Sequence, residues 1–279
     1  MLRRFTAAEC RRSQRGYSLV ELSIALLIAL FLLGGLITLV MGTRRSNGTQ
    51  SALSQLQDNE RIAMTLITNV TQNAGYFPYP TTQLGGQTLS SFLTETFAGV
   101  SFNGGQVVGA GVNNATTGDT FGIRFFAPAL DTTGTIINCA GQSNAGAATN
   151  LWYTNVFSVA MVNGTPWLQC QVRGNNNGTA LAATPTVNLI PNVTSISVLY
   201  GVGLNTAPVG DYSVVQYLNA GQMTAINWLN VTSVKVTLTF LLPQLGTVGG
   251  QMMTIGSANS TTTFTRVIPV MGRVGGNVT

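Results

Sequence analysis

The sequence predicts an α+β fold, with one long N-terminal helix, its first half membrane-spanning, packed by its second half on a mainly antiparallel β-sheet domain. Three observations predict it. Residues Leu22 to Met41 form a run of 20 without Asp, Glu, Lys or Arg, long enough as a helix to cross about 30 Å of hydrocarbon. Helical spacing of apolar residues continues beyond that run to about Gly75. From residue 121 onward, short runs rich in β-branched and aromatic residues alternate with clusters of Asn and Gly, the pattern of strands and turns.

Residues 1–16 are basic, with Arg3, Arg4, Arg11, Arg12 and Arg15 against Glu9, a net +4. They carry most of the chain's formal +5; without them the chain has eight basic and seven acidic side chains. The overall basicity is therefore no sign of a nucleic-acid surface. By the positive-inside rule the same arginines hold the N-terminus in the cytoplasm, and Arg44 and Arg45 beyond the span argue weakly the other way. Glu21 stands at the mouth of the apolar run. A carboxylate at that depth costs a few kcal/mol and calls for a partner. If the chain is cut after Gly16, Glu21 becomes the fifth residue, about one helical turn from a new α-amino group on Tyr17.

After the span, Leu53, Leu56, Ala63, Leu66, Ile67, Val70 and Ala74 recur largely at intervals of three, four or seven, with Gln55, Asp58, Glu60 and Arg61 elsewhere. That is a one-sided helix. Gly34, Gly35 and Gly48 each cost about 1 kcal/mol relative to Ala and mark places for bending or melting; close packing between helices is the other reading of Gly34-Gly35. Pro78 and Pro80 are expected to stop the helix near Gly75.

The expected boundaries are a cleaved leader at 1–16, a helix at 17–75 with its membrane segment at about 17–42, and an extracytoplasmic β-rich domain at 76–279. Within the last, strands are expected at 121–126, 156–162, 167–172, 196–200, 231–240 and 264–270. Val234, Val236, Leu238 and Phe240 alternate with Lys235, Thr237 and Thr239, one face buried and one wet. Val162-Asn163-Gly164-Thr165-Pro166-Trp167, between two such runs, reads as a β-hairpin connection, and Pro269 suits an edge strand or a strand end. Of three cysteines, Cys10 lies in the leader, which leaves Cys139 and Cys170 as an even pair in an oxidising compartment. A bond between them would contribute roughly 3 kcal/mol; two separate buried thiols are the alternative.

The segment Arg15-Gly16-Tyr17-Ser18-Leu19-Val20-Glu21 resembles the processing site of type IV prepilins and of type II secretion pseudopilins, with a basic leader, its closing Gly, an aromatic first mature residue and an acid at the fifth. The runs from Asn227 to Leu238 and from Phe264 to Arg273 are similar to segments of PilW-type minor pilins, as are Asn192 to Gly201 and Asn73 to Tyr76. In that family the closing segment more often reads as an arginine-rich strand ending in a Leu-Arg-Asn-like sequence, from which Pro269 and Gly272 depart. The resemblance implies a pilin-like fold, cleavage after Gly16 by a prepilin peptidase, N-methylation of Tyr17, and assembly with other minor pilins and the major pilin. Glu21 would then set the register between neighbouring helices. It also implies residence in the inner membrane as a single-pass protein with a cytoplasmic N-terminus, and then in a pilus at the cell surface. Trp228 reads as a core aromatic, and Arg266 and Arg273 as solvated strand charges.

Three other functions compete with this one. A J-type pseudopilin would share the leader logic and often carries a calcium site, but Asp119, Asp131 and Asp211 are far apart in sequence. A tip adhesin or DNA-uptake module would want a basic stripe for DNA, whereas the basic residues are scattered. An enzyme is not expected, and neither is a cofactor: there is no His, Lys235 is the one lysine, and no nucleophile–base pair stands out. No metal is expected of a chain without His and with two cysteines after the leader.

Overall fold

The structure, a computed structural model of the chain, describes residues 16, 18–76, 92–129, 134–147, 149–176, 178–203, 213–242, 244–248, 251–254 and 260–271. It divides into two compact units, residues 1–51 and 52–279. Leader residues 1–15, Tyr17, Pro78, Pro80, Asp131, Asp211, Gly272 and Arg273 lie outside the described residues.

Helix α1 runs from Leu19 to Gln72, 54 residues. It passes through Gly34, Gly35 and Gly48 without a break, so no melting occurs at the glycines where it was expected. A penalty of about 1 kcal/mol per glycine does not offset the hydrogen bonds that opening a turn would cost. In the second unit the helix buries Leu56, Ala63, Met64, Ile67, Val70 and Thr71. Leu53, expected on that face, is exposed, and Leu66 is only partly buried. Leu53 is in phase with the stripe but precedes the first turn that meets the domain, and Leu66 points to the flank. The helix ends in an Asn73-Ala74-Gly75 turn in which Gly75 has φ +72° and donates its N–H to the Arg124 carbonyl at 2.9 Å. A side chain there would be strained.

The β domain opens with a small hairpin, β1 (Glu95–Phe97) and β2 (Val100–Phe102). Next come β3 (Val108–Ala110), β4 (Phe121–Ala127), β5 (Leu151–Val162), β6 (Thr165–Asn176), β7 (Thr179–Ala180) and β8 (Val187–Pro191). They form a sheet of order β3-β4-β5-β6-β7, with β8 also paired to β6. Its pairs are antiparallel. The expected turn joins β5 to β6: Asn163 and Gly164 have φ 49° and 79°, the two positive values a type I′ turn requires.

A second sheet is made by β9 (Val193–Val202), β10 (Gln216–Leu218), β11 (Val231–Leu241) and β14 (Thr261–Pro269) in the order β10-β9-β11-β14. The hairpin β12 (Gln244–Val248) and β13 (Gln251–Thr254) lies between β11 and β14 in sequence. The alternation in β11 holds: Val234, Val236, Leu238 and Phe240 are buried while Lys235, Thr237 and Thr239 are half-buried. Pro269 ends β14, an edge strand, where its missing N–H costs no ladder bond. The short helix α2 (Ala225–Leu229), capped by Thr224, sets Trp228 edge-on to Tyr200 with ring centroids 4.7 Å apart. Trp228 thus packs on the sheet as a core aromatic should. Burial, and after it the charge of Asp119, holds the Tyr200 phenol well above its usual pKa.

The sheets share one core with the second-unit part of α1. The loop before β4 joins them: Asp119 donates its N–H to Ile196 O at 2.7 Å and its carboxylate accepts Val198 N–H at 2.7 Å. Gly118, at φ +81°, lies so close that a Cβ would fall 2.1 Å from Ile196 O.

The other face of β4 holds a feature that its sequence does not announce. Arg124 is fully buried beneath the β1–β2 hairpin. Its guanidinium donates to the carbonyls of Leu93 (2.5 Å), Asn103 (2.9 Å) and Gln106 (2.9 Å) and stacks 4.5 Å from the Phe102 ring. Glu95 lies 3.9 Å from Arg124, accepts from Arg173 at 2.8 Å and from Thr154 at 2.6 Å. Burial pulls the Arg124 pKa down to about 10, opposed by Glu95, so it stays charged at neutral pH. Gly109 and Gly122 make room for Phe102, since a Cβ on either would approach its ring to 2.7 and 2.6 Å.

Candidate assembly helix and processing site

In the first unit, every large apolar side chain from Leu19 to Met41 is exposed, Leu19 by 85% and Phe31 by 86%. Leaving such a side chain in water forgoes roughly 1.5–3 kcal/mol each, so this surface suits lipid or other apolar helices. The helix is long and apolar enough to cross a membrane. Its few polar side chains are satisfied internally: Ser23 Oγ donates to Val20 O at 2.8 Å, Thr38 Oγ1 to Gly35 O at 2.7 Å and Thr43 Oγ1 to Leu39 O at 2.9 Å. Each bond removes a group that hydrocarbon could not solvate.

Glu21 is the exception. It lies in the first turn of α1, where Ser18 O accepts Leu22 N–H at 3.1 Å. The free N–H groups at this end favour a negative charge. Glu21 is exposed and has no ion-pair partner among the described residues. Gly16 is exposed as well, and a Cβ built on it meets nothing within 4 Å. Packing therefore does not demand glycine there. Tyr17, the residue between them that sequence reasoning singles out, is outside the described set.

Cys139 and Cys170 are brought together and bonded, with Cα atoms 6.2 Å apart and a sequence separation of 31. The first lies in the 134–147 loop and the second in β6; both are buried. The loop is further shaped by Asn138, whose Oδ1 accepts from Ala140 N at 3.0 Å and Gln142 N at 2.9 Å. Asn155 Oδ1 accepts Cys139 N–H at 2.8 Å. Replacing both cysteines with alanine is expected to cost roughly 3 kcal/mol and lower the unfolding midpoint by roughly 5–10 °C. Scanning calorimetry checks this; an unchanged midpoint would mean that the asparagine bonds alone hold the loop.

The remaining polar residues of note are engaged structurally. Asp119 holds Val198 N–H and Asn113, Ser233 faces the Tyr217 hydroxyl at 3.2 Å, and Arg266, exposed on β14, reaches Thr68 of α1 at 3.5 Å. Among the described residues no three His, Cys, Asp or Glu side chains gather as a metal site would require. Sequence reasoning missed Arg124, Glu95 and Arg173, three charges widely separated along the chain.

Comparison with known families gives two matches. Residues 11–37 match the prokaryotic N-terminal methylation motif, spanning Gly16, Tyr17 and Glu21. Residues 156–264 match the type IV pilus-assembly protein W family, from within β5 into β14, including Cys170 and Trp228; Arg124 and Cys139 fall outside. No curated protein and no solved structure matches the chain. Neither matched family is an enzyme family. A methylation motif heading an exposed apolar helix, and a pilus-assembly match over residues 156–264 that lies across both antiparallel sheets, together support a PilW-type, type IV pilus-related pilin-like protein.

Proposed function

We propose that this protein is a minor pilin, cleaved after Gly16, methylated on Tyr17, and carried into a type IV pilus by α1, where it primes or joins assembly. The observation that carries the reading is Glu21, the one acid at the head of a helix otherwise sheathed in exposed apolar side chains. Before assembly the apolar run spans the inner membrane, with the leader arginines holding the N-terminus in the cytoplasm. Assembly moves the run from lipid into a bundle of similar helices, two environments of nearly equal hydrophobicity. Apolar contact alone then gives little preference for one axial position over another. A carboxylate does, because it is strongly favoured only where a positive group meets it. The methylated amine of Tyr17 supplies that group, within one subunit or from its neighbour, and so fixes the register.

Gly16 fits a site read by a protease, since the fold itself leaves room for a side chain there. Gly16→Val is expected to leave the leader attached and to run as the longer form on a gel of whole membranes. Wild-type mobility of that variant would contradict cleavage at this position.

A further inference from the structure

Arg44 and Arg45 stand at the other end of the apolar run. The apolar run ends at Met41, and Arg44 follows three residues later, about 4.5 Å further along the helix axis. When the run fills the hydrocarbon, that is the depth of the lipid phosphates. Both arginines are exposed, and neither has an ion pair among the described residues. The next acid along the helix is Asp58, roughly 20 Å away and already beside Arg61 at 3.5 Å. Two nearby hydroxyls are turned back on the helix, Thr43 to Leu39 O and Thr49 to Arg45 O, and the two guanidinium groups are the cationic donors at this level. Their forked N–H groups match phosphate oxygens. As sequence neighbours they point about 100° apart, which suits two headgroups better than one.

The leader sharpens the argument. While it is attached, the cytoplasmic flank carries +4 from residues 1–16. Once it is gone, that flank keeps only Glu21 and the Tyr17 amine, and the side-chain cations nearest the span are Arg44 and Arg45 on the far side. Two arginines on a translocated flank work against the orienting charge of the leader; a use at that flank accounts for them.

We propose that Arg44 and Arg45 form an anionic-phospholipid headgroup site at the extracytoplasmic end of the span, which retains the processed subunit in the membrane until it is drawn into a fibre. This rests on the processing and orientation proposed above. The test uses the full processed protein, purified from membranes and placed in nanodiscs of phosphatidylglycerol and phosphatidylcholine with matched acyl chains. Native mass spectrometry then counts the lipids that stay bound. The wild type should retain phosphatidylglycerol over phosphatidylcholine by about tenfold. Arg44→Gln with Arg45→Gln should bring the ratio close to one, and Arg44→Lys with Arg45→Lys should give an intermediate value. An inserted wild type without preference, or a preference that survives the double Gln change, overturns the site. Loss of the preference in excess inorganic phosphate would make it a small-anion site and overturn the lipid assignment. Failure to resist alkaline extraction from vesicles would instead overturn the membrane span itself, a distinct outcome.

Discussion

Glu21→Val is expected to leave leader removal intact and to lower incorporation into sheared fibres by tenfold or more. The two effects separate because they rest on different residues. Gly16 is five positions away and exposed, so the proposed peptidase site is untouched. Membrane insertion should even improve, since Val removes a carboxylate that costs a few kcal/mol in lipid. The loss falls on assembly. In a bundle of apolar helices the Tyr17 amine would then have no anion opposite it, and each 1.4 kcal/mol of that deficit is a factor of ten in occupancy. Glu21→Gln keeps the shape and removes the charge, and should fail almost as badly. Immunoblots of sheared and membrane fractions decide the matter: equal fibre content in wild type and Glu21→Val would remove the register argument.

Arg124→Met is the most damaging change expected in the β domain. Met fills a similar volume and is at home in a core, so packing is largely kept while the charge and donors vanish. The carbonyls of Leu93, Asn103 and Gln106 lose the guanidinium that bridges them, and Glu95 keeps Arg173 and Thr154 but loses its deeper cation. Breaking one side of a buried charge cluster costs roughly 3–5 kcal/mol, a large share of the 5–15 kcal/mol typical of a whole domain. Arg124→Lys should rescue little, because the three N–H bonds of an ammonium radiate from one nitrogen, whereas the guanidinium reaches the three carbonyls from three separate nitrogens. Denaturant unfolding of the wild type and both variants measures this. A cost below about 1 kcal/mol for Met would show that the β1–β2 hairpin is held by Phe97, Val100 and Phe102 alone.

The contrast between these two residues shows what a single sequence discloses. Glu21 is legible because it breaks a pattern: one acid at the head of a charge-free run is conspicuous without any tertiary knowledge. The second-unit face of α1, the hairpin connection between Val162 and Trp167 and the alternation in β11 are legible because period and turn chemistry are local. Arg124 is the opposite case. In Phe121-Gly122-Ile123-Arg124-Phe125-Phe126 an arginine on alternate positions reads as the wet face of a half-buried strand. Here that face is covered by a hairpin whose own strands are three residues each, too short to carry a period. Gly109 and Gly122 make the space for Phe102, yet nothing near them in sequence says what occupies it. Leu53 erred for a related reason, since helical phase tells which side a residue faces but not where the covering domain begins. The cysteine pairing was reached by counting and compartment; the loop that delivers Cys139 to β6 was not, because Asn138 and Asn155 act across long separations.

The proposed function requires that the chain be processed between Gly16 and Tyr17 and carried into a fibre by the helix so released. Mass spectrometry of the N-terminal peptide, in sheared surface fibres and in whole membranes, tests it most directly. A peptide beginning with N-methyl-Tyr17 is expected in the sheared fraction. An intact or differently cut leader would contradict the processing step, and a correctly processed peptide confined to membranes would contradict assembly into a pilus and point to a pseudopilin.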